Sequence, residues 1–206
     1  MVKTTPVSVA EKIMGTNFIG FKQANMFLEL IGKPIINESI VQEVNYDEDT
    51  LSKCALDYIL VYGVDTLDII DIRNFFGTDP EVLEPCLYNQ DWYMSEDFIR
   101  RRMDNTWFLI KKNVLEETRS VMPMDIIATG VKFPSAIQCV YTFFAYYVAY
   151  GVMLWYHDFI WCDDVDHNGD RIYVAKYHDI DGINKNGFSI HRHLALRECY
   201  ASVNLC

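Results

Sequence analysis

The densest set of residues able to do chemistry is "WCDDVDHNGDRIYVAKY", residues 161–177. Asp164, Asp166 and Asn168 alternate ahead of Gly169 and Asp170. Hard oxygen donors at every second position, then a glycine, match the first half of a calcium loop. The second half does not follow. Loop position twelve, where a bidentate Glu belongs, is Ala175, and the flanks "DFIW" and "RIYVAKY" read as strands, not helices. The other reading is a β-hairpin. Asn168-Gly169 is the preferred pair for a two-residue type I′ turn, which needs positive φ at both positions. Folding the flanks about that pair sets Asp166 opposite Arg171, Val165 opposite Ile172, Asp164 opposite Tyr173 and Trp161 opposite Lys176. Trp161, Val165, Ile172 and Val174 then share one face. The acids line the solvated face, with Asp166 and Arg171 as an ion pair worth about 0.2–1 kcal/mol. The hairpin accounts for the alternation without an ion and is carried forward; a looser calcium turn at a sheet edge stays open.

The histidines form the next constellation. "GFSIHRHL" puts His191 and His193 on one face of a strand, with Arg192 on the other. His-x-His on a strand can hold zinc or iron if a third ligand arrives, and His157-Asp158 or His178-Asp179 would supply it. His178 and Asp179 also draw as a general acid–base pair. No spacing forces either. G-x-S-x-G, P-loop, G-x-G-x-x-G and H-E-x-x-H patterns are absent. The sequence therefore assigns no catalytic residue, no metal ligand and no cofactor. The polar loop "HDIDGINKNGF", residues 178–188, lies between two strands, and loops held on a rigid sheet often carry binding. The candidate binding residues are Asp166, Arg171, Tyr173, Tyr177, Asp179, Asn184, Asn186, His191 and His193.

Composition sets the frame. With 206 residues, half of them hydrophobic, the chain is long enough for a sizeable core in a single domain. A net charge of −11 argues against a wide nucleic-acid surface. The short basic run Arg100–Arg102 reads as a solvated helix face. No signal peptide is apparent, and six scattered cysteines without C-x-x-C spacing read as free thiols of a reducing, cytoplasmic compartment, or of a virion if phage-encoded.

The positioning elements follow from pattern. "TNFIGFKQANMFLELIG" predicts a helix with Phe21, Ala24, Met26, Phe27, Leu28 and Leu30 on its apolar face. Asp47 or Asp49 caps another, and Ser95 opens a helix at "SEDFIRRRM". "LDYILVYGV" and "TWFLIKKNV" predict buried strands, while "TLDIIDIRNFF" suits either period. Residues 113–133 read as an irregular connection, the place where the chain would divide if it did. Pro134 and Ser135 then open a long helix. No charge occurs from Phe133 to Tyr156. Its tyrosines, Gln138, Thr142 and Gly151 favour a core helix, with membrane insertion of 134–156 as the minor alternative.

The order "LSKCALDYILV", "LDIIDIR", "DWYMSEDFI", "TWFLIKK", "FPSAIQCVYTFFAYYVAYG" and "WCDDVDHNGDRIYV" resembles a family of bacterial and mobile-element proteins of unknown function. The likeness covers roughly residues 50 to 193 and implies no site residues. The C-terminal part also resembles C-type-lectin-like modules, the fold of formylglycine-generating enzymes. The matching features are a helix after "FPSA", the strand "FIWCDD", the hairpin "DRIYVAKY" and a last strand running from Gly187 and Phe188 to Arg192. The lectin calcium signatures E-P-N and W-N-D are absent, so the resemblance implies a fold and not sugar binding. The expectation is an α+β domain, mixed or antiparallel in its sheet. It is a non-catalytic binding or structural protein that meets a protein partner, or its own copy, through the acidic hairpin and the 178–188 loop. The alternative is a metal-dependent enzyme or toxin-like protein built on the C-terminal histidines. No small-molecule ligand is inferable.

Overall fold

The structure, a computed structural model, describes residues 3–39, 41–177, 187–192 and 196–206, with Tyr177 described by its backbone alone. The fold is α+β. Its N-terminal half carries a two-stranded ribbon, β1 (Thr5–Pro6) against β3 (Glu43–Val44). Beside it a three-stranded sheet sets β2 (Phe18–Ile19) parallel to β4 (Tyr58–Tyr62), and β4 antiparallel to β5 (Trp107–Lys111). The C-terminal half is a four-stranded sheet in the order β8 (Gly187–His191), β7 (Arg171–Tyr177), β6 (Phe159–Val165), β9 (Tyr200–Ala201). Its pairs are antiparallel except β6 with β9. Helices α1 (Val7–Met14), α2 (Phe21–Leu30), α3 (Glu48–Cys54), α4 (Ile69–Phe76), α5 (Pro123–Ala128) and α6 (Ala136–Tyr150) complete the chain.

α6 is the hub. Ser135 and Gln138 cap it reciprocally: the Gln138 N–H donates to Ser135 Oγ at 3.3 Å and the Ser135 N–H to Gln138 Oε1 at 2.8 Å. Gly151, left-handed at φ 68°, ends it. Ala136, Ile137 and every residue from Cys139 to Tyr146 are buried. A helix apolar all round must be covered all round, and here protein covers it. One contiguous apolar cluster drawing on residues from Ile19 to Val203 surrounds it. The helix is 15 residues long, about 22 Å at the usual rise, short of the roughly 30 Å of a bilayer core. No helix among the described residues is long and apolar enough to cross a membrane.

Several local expectations hold. β4 and β5 form where the β-branched and aromatic runs lie, and Asp47 caps α3 by accepting from the Thr50 N–H at 2.9 Å. "TLDIIDIRNFF" resolves to α4, because Asp68 and Asp71 form a capping box ahead of it. Others need correction. Met26 and Leu30 of α2 are exposed, since only Phe21, Ala24, Phe27 and Leu28 meet the core. Ser95 caps nothing: it ends a 3₁₀ turn, Trp92–Ser95, and a second, Asp97–Arg100, replaces the expected α-helix. Residues 113–133 contain the 3₁₀ turn Glu116–Thr118 and α5.

The 161–177 hairpin exists, but with a different turn and register. Val165 lies opposite Arg171, Trp161 opposite Tyr173 and Ile160 opposite Val174, with a bulge between Trp161 and Val165. The Asp166 N–H donates to the Asp170 carbonyl and the Gly169 N–H to the Asp166 carbonyl, both at 2.9 Å. The loop is thus three residues, His167 to Gly169, with Gly169 taking the left-handed position at φ 85°. The shift turns Asp164 and Asp166 inward, where both are buried. The acids expected on the solvated side are, apart from exposed Asp163, on the protein side.

The edge of β8 is closed by residues 86–88. The Tyr88 N–H donates to the Phe188 carbonyl at 2.9 Å, and the Phe188 N–H to the Cys86 carbonyl at 2.8 Å. All six cysteines are free thiols.

Candidate functional site

Strand alternation places Ile160, Cys162 and Asp164 of β6 on the core side, and Asp166 beyond the strand end follows them inward. Two inward carboxylates need partners, because an unpaired buried charge is costly. Each finds an arginine. Asp164 accepts from Arg101 at 2.7 Å and from the Ala136 N–H, at the start of α6, at 2.6 Å. A carboxylate at a helix N-terminus meets both orphan N–H groups and the positive end of the dipole. Burial raises the Asp164 pKa, and the Ala136 N–H and Arg101 oppose that rise. Arg101 also takes exposed Asp163 through two bonds, at 2.8 and 3.2 Å. Burial pulls the Arg101 pKa down, but the bonds to Asp163 and Asp164 outweigh it, so the net shift is upward. Arg101 is therefore a clasp on the hairpin and not a solvated helix residue.

The second clasp sits at the tip. Asp166 accepts from Arg192 at 2.7 Å and from the N–H groups of Asn168 and Asp170 at 2.9 and 2.8 Å. Arg192 also reaches Glu96 at 3.3 Å and lies over the Trp92 ring, 4.5 Å from its centroid. Glu96 is buried; it accepts from the His167 N–H at 2.9 Å and faces His167 Nδ1 at 2.7 Å. Burial pushes the Asp166 carboxyl up, yet Arg192 and the two N–H donors prevail and hold it at about 2.

Glu96, Asp166 and His167 offer ligand atoms within 4.8 Å of one another, the one such group of three among the described residues. Their chemistry is already spent on donors. Arg192 holds both carboxylates, Asp166 takes two backbone N–H groups and Glu96 takes a third. A divalent cation would have to displace a guanidinium that neutralises the same oxygens. The geometry is that of a charge-compensated latch, and it brings together residues 71 and 26 positions apart in sequence.

The remaining candidates part company. Tyr173 and His191 are directly paired across β7 and β8 and stack at 5.5 Å, 22° between planes. They belong to an aromatic layer with Phe159, Trp161 and Tyr200 on the sheet face turned away from α6. Gln90 lies 3.2 Å from His191 Nδ1. Arg171 donates to the Cys162 carbonyl at 2.9 Å and covers the Phe133 ring at 5.4 Å, and does not pair with Asp166. Tyr177 pairs with Gly187 through the backbone. Asp179, Asn184, Asn186 and His193, like His178, lie outside the described residues. Neither His157 nor His191 joins the three-donor group. Sequence reasoning missed Glu96, Arg101, Trp92 and Gln90, and saw Arg192 only as the residue between two histidines. Nothing local marks them, because their partners are distant in the chain.

Burial drives the His191 pKa down to about 4, so the ring is neutral at pH 7. A base with a depressed folded pKa binds fewer protons than its unfolded form. Its contribution is fully present above pH 6.5 and fades as pH falls from 6.5 towards 4, by at most about 3 kcal/mol at 1.36 kcal/mol per unit. Urea titrations at pH 7.5 and pH 5 should show about 2 kcal/mol of that loss, and His191→Gln should flatten it. An unchanged slope in the variant would assign the pH dependence elsewhere.

In the face of which Tyr173 and His191 are part lies a groove between α5 and the hairpin, walled by Trp161, Met122, Met124, Arg171 and Leu196. Compared with known protein families, curated proteins and solved structures, the chain shows no significant match.

Proposed function

We propose that the chain is a non-catalytic binding or structural protein that meets a protein partner, or its own copy, through the acidic hairpin and the 178–188 loop. The carrying observation is the contrast at the tip. Two arginine clasps pin the hairpin from beneath, while His167, Asn168 and Gly169 at its end are exposed. A loop ordered before contact loses little further entropy on docking, which is what recognition surfaces exploit. The acidic balance of the chain favours a basic partner surface and faster association at low salt.

Asn168→Arg alters the exposed tip and leaves Asp166, its Arg192 clasp and the His167–Glu96 contact in place. In-cell cross-linking from the native host should recover a partner, or a homodimer, with the native chain, and lose it with the tip variant. Identical cross-linked species from both would remove the tip from the contact surface. The metal-dependent alternative rests on the C-terminal histidines, His157, His178, His191 and His193, and Glu96, Asp166 and His167 are the one three-donor group among the described residues. Elemental analysis of protein purified without chelator separates the two, since stoichiometric zinc, iron or manganese would put the metal reading first.

A further inference from the structure

The hairpin tip sets a reactive amide beside an unhindered backbone nitrogen. Asn168 is exposed, and among the described residues its bond to Asp166 is made by its backbone N–H, with its side-chain amide left free. The next residue is Gly169. It has no Cβ, and nothing lies within 4 Å of where one would stand, so its nitrogen is screened by no side chain. Of the described asparagines, Asn168 is the one that precedes a glycine. Several of the others spend their side chains on hydrogen bonds, among them Asn17, Asn25, Asn37, Asn105 and Asn204. Asparagine is a thermolabile residue because its amide can be attacked by the backbone that follows it.

That attack consumes water and releases ammonia. The Gly169 nitrogen gives its proton to solvent base and bonds to Asn168 Cγ. The bond from Cγ to the side-chain nitrogen breaks, and that nitrogen takes a proton from water and leaves as ammonia. Water then opens the resulting succinimide ring at either carbonyl. One opening leaves an aspartate at position 168; the other leaves an isoaspartate, whose backbone is longer by one methylene. Nothing is oxidised or reduced.

The folded turn holds the nucleophile back. The Gly169 N–H donates to the Asp166 carbonyl at 2.9 Å, so its nitrogen must leave that bond before it can turn on Asn168. Asp166 keeps the turn closed. Its carboxylate takes the N–H groups of Asn168 and Asp170, and Arg192 holds that carboxylate at 2.7 Å. A reaction that needs local opening runs in proportion to the open fraction. We propose that Asn168 is a self-deamidation site and that the Arg192–Asp166 clasp sets its rate. Each conversion adds a negative charge beside Asp166 and Asp170. The isoaspartate form also lengthens the three-residue loop, which then no longer seats both amides on Asp166. The proposal does not rest on the partner reading, because its readout needs no partner.

Incubating the full chain in warm, mildly alkaline heavy-oxygen water tests it, with peptide mass at residue 168 and released ammonia as readouts. In the folded native chain Asn168 should convert at least about tenfold more slowly than in the chain unfolded by urea, taking up heavy oxygen as ammonia is lost. Arg192→Gln removes a charge-assisted bond and should speed conversion in the folded chain about tenfold. Arg192→Lys keeps the charge without the planar fork and should fall between. Asp163→Ala touches Arg101 and not Arg192, and should match the native rate. Near-ultraviolet circular dichroism checks that each chain is folded; if Arg192→Gln is not, Arg192→Lys carries the comparison. Asn186, the other asparagine before a glycine in the sequence, is scored separately. A folded native chain that converts at residue 168 as fast as the unfolded one would overturn the gate. So would equal rates in the Arg192 variants and Asp163→Ala. An intact Asn168 in the folded Arg192 variants, while Asn186 converts, would overturn the site.

Discussion

Asp166→Ala is expected to lose about 3–5 kcal/mol of folding stability, the usual cost of removing one member of a buried pair. The Asp166 side chain is fully buried, and it accepts from one guanidinium and two backbone N–H groups. Alanine leaves Arg192 with Glu96 alone and strands the Asn168 and Asp170 amides. Asp166→Asn keeps an oxygen for those amides but removes the charge, so its loss should fall between Asp166→Ala and the native chain. Asp163→Ala is the internal control. Asp163 is exposed, Arg101 retains Asp164, and surface pairs of this kind contribute up to about 1 kcal/mol. Urea unfolding of the three variants supplies the order. An Asp166→Ala midpoint as close to native as that of Asp163→Ala would show that the tip clasp is not structural. The sign with pH follows from the depressed pKa. The contribution of Asp166 is present above pH 3.8 and is lost as pH falls through about 2.

Gly187→Ala is expected to be as damaging, by a steric route. A Cβ at Gly187 would lie 2.5 Å from the Tyr88 nitrogen and 2.7 Å from Leu87 C and Tyr88 Cα. All three are backbone atoms, so no side-chain rotation relieves the overlap, and φ at +156° is already unfavourable for an L side chain. Residues 86–88 would have to leave β8. That breaks the two hydrogen bonds at Phe188 and opens water access to Leu87 and Phe188, both fully buried. The expected loss is about 3 kcal/mol or more. Hydrogen exchange should show the change first at the Tyr88 and Phe188 amides. Gly169→Ala is the comparison: its φ is +85°, but nothing lies within 4 Å of the added Cβ. It should cost only about 1–2 kcal/mol for the left-handed backbone. Equal losses at the two glycines would mean that crowding at residue 187 is relieved by movement.

The contrast between what was and was not readable in the chain follows the range of the deciding interactions. β4, β5, α3 and α6 are legible because β-branched and aromatic runs, the Asp47 cap and the Pro134-Ser135 start act within a few residues. Asn168-Gly169 likewise announces a reversal. Which way the flanking acids face is not local. It depends on one residue of turn length and on Arg101 and Arg192, and Arg101 lies 63 positions from Asp164. A period-two pattern fixes that Asp164 and Asp166 share a side, and leaves open whether that side is water or protein. Ser95 fails as a helix start for a related reason. The segment after it closes on Glu96, which is drawn to the hairpin tip, and so winds as separate 3₁₀ turns. The candidate site was legible only as a location. The partners of Asp166, Arg171 and His191 are a guanidinium, a carbonyl and an amide that no spacing in the sequence links to them.

The clasps also impose an order in time. Glu96 and Arg192, which meet at the tip, are 96 residues apart along the chain, and closing so long a loop is slow and entropically opposed. A nascent hairpin can reverse at Gly169 early, but its inward acids stay hydrated until both arginines arrive. The exposed turn His167–Gly169 is therefore expected to be among the last parts to become rigid and, on heating, among the first to loosen, ahead of the core around α6.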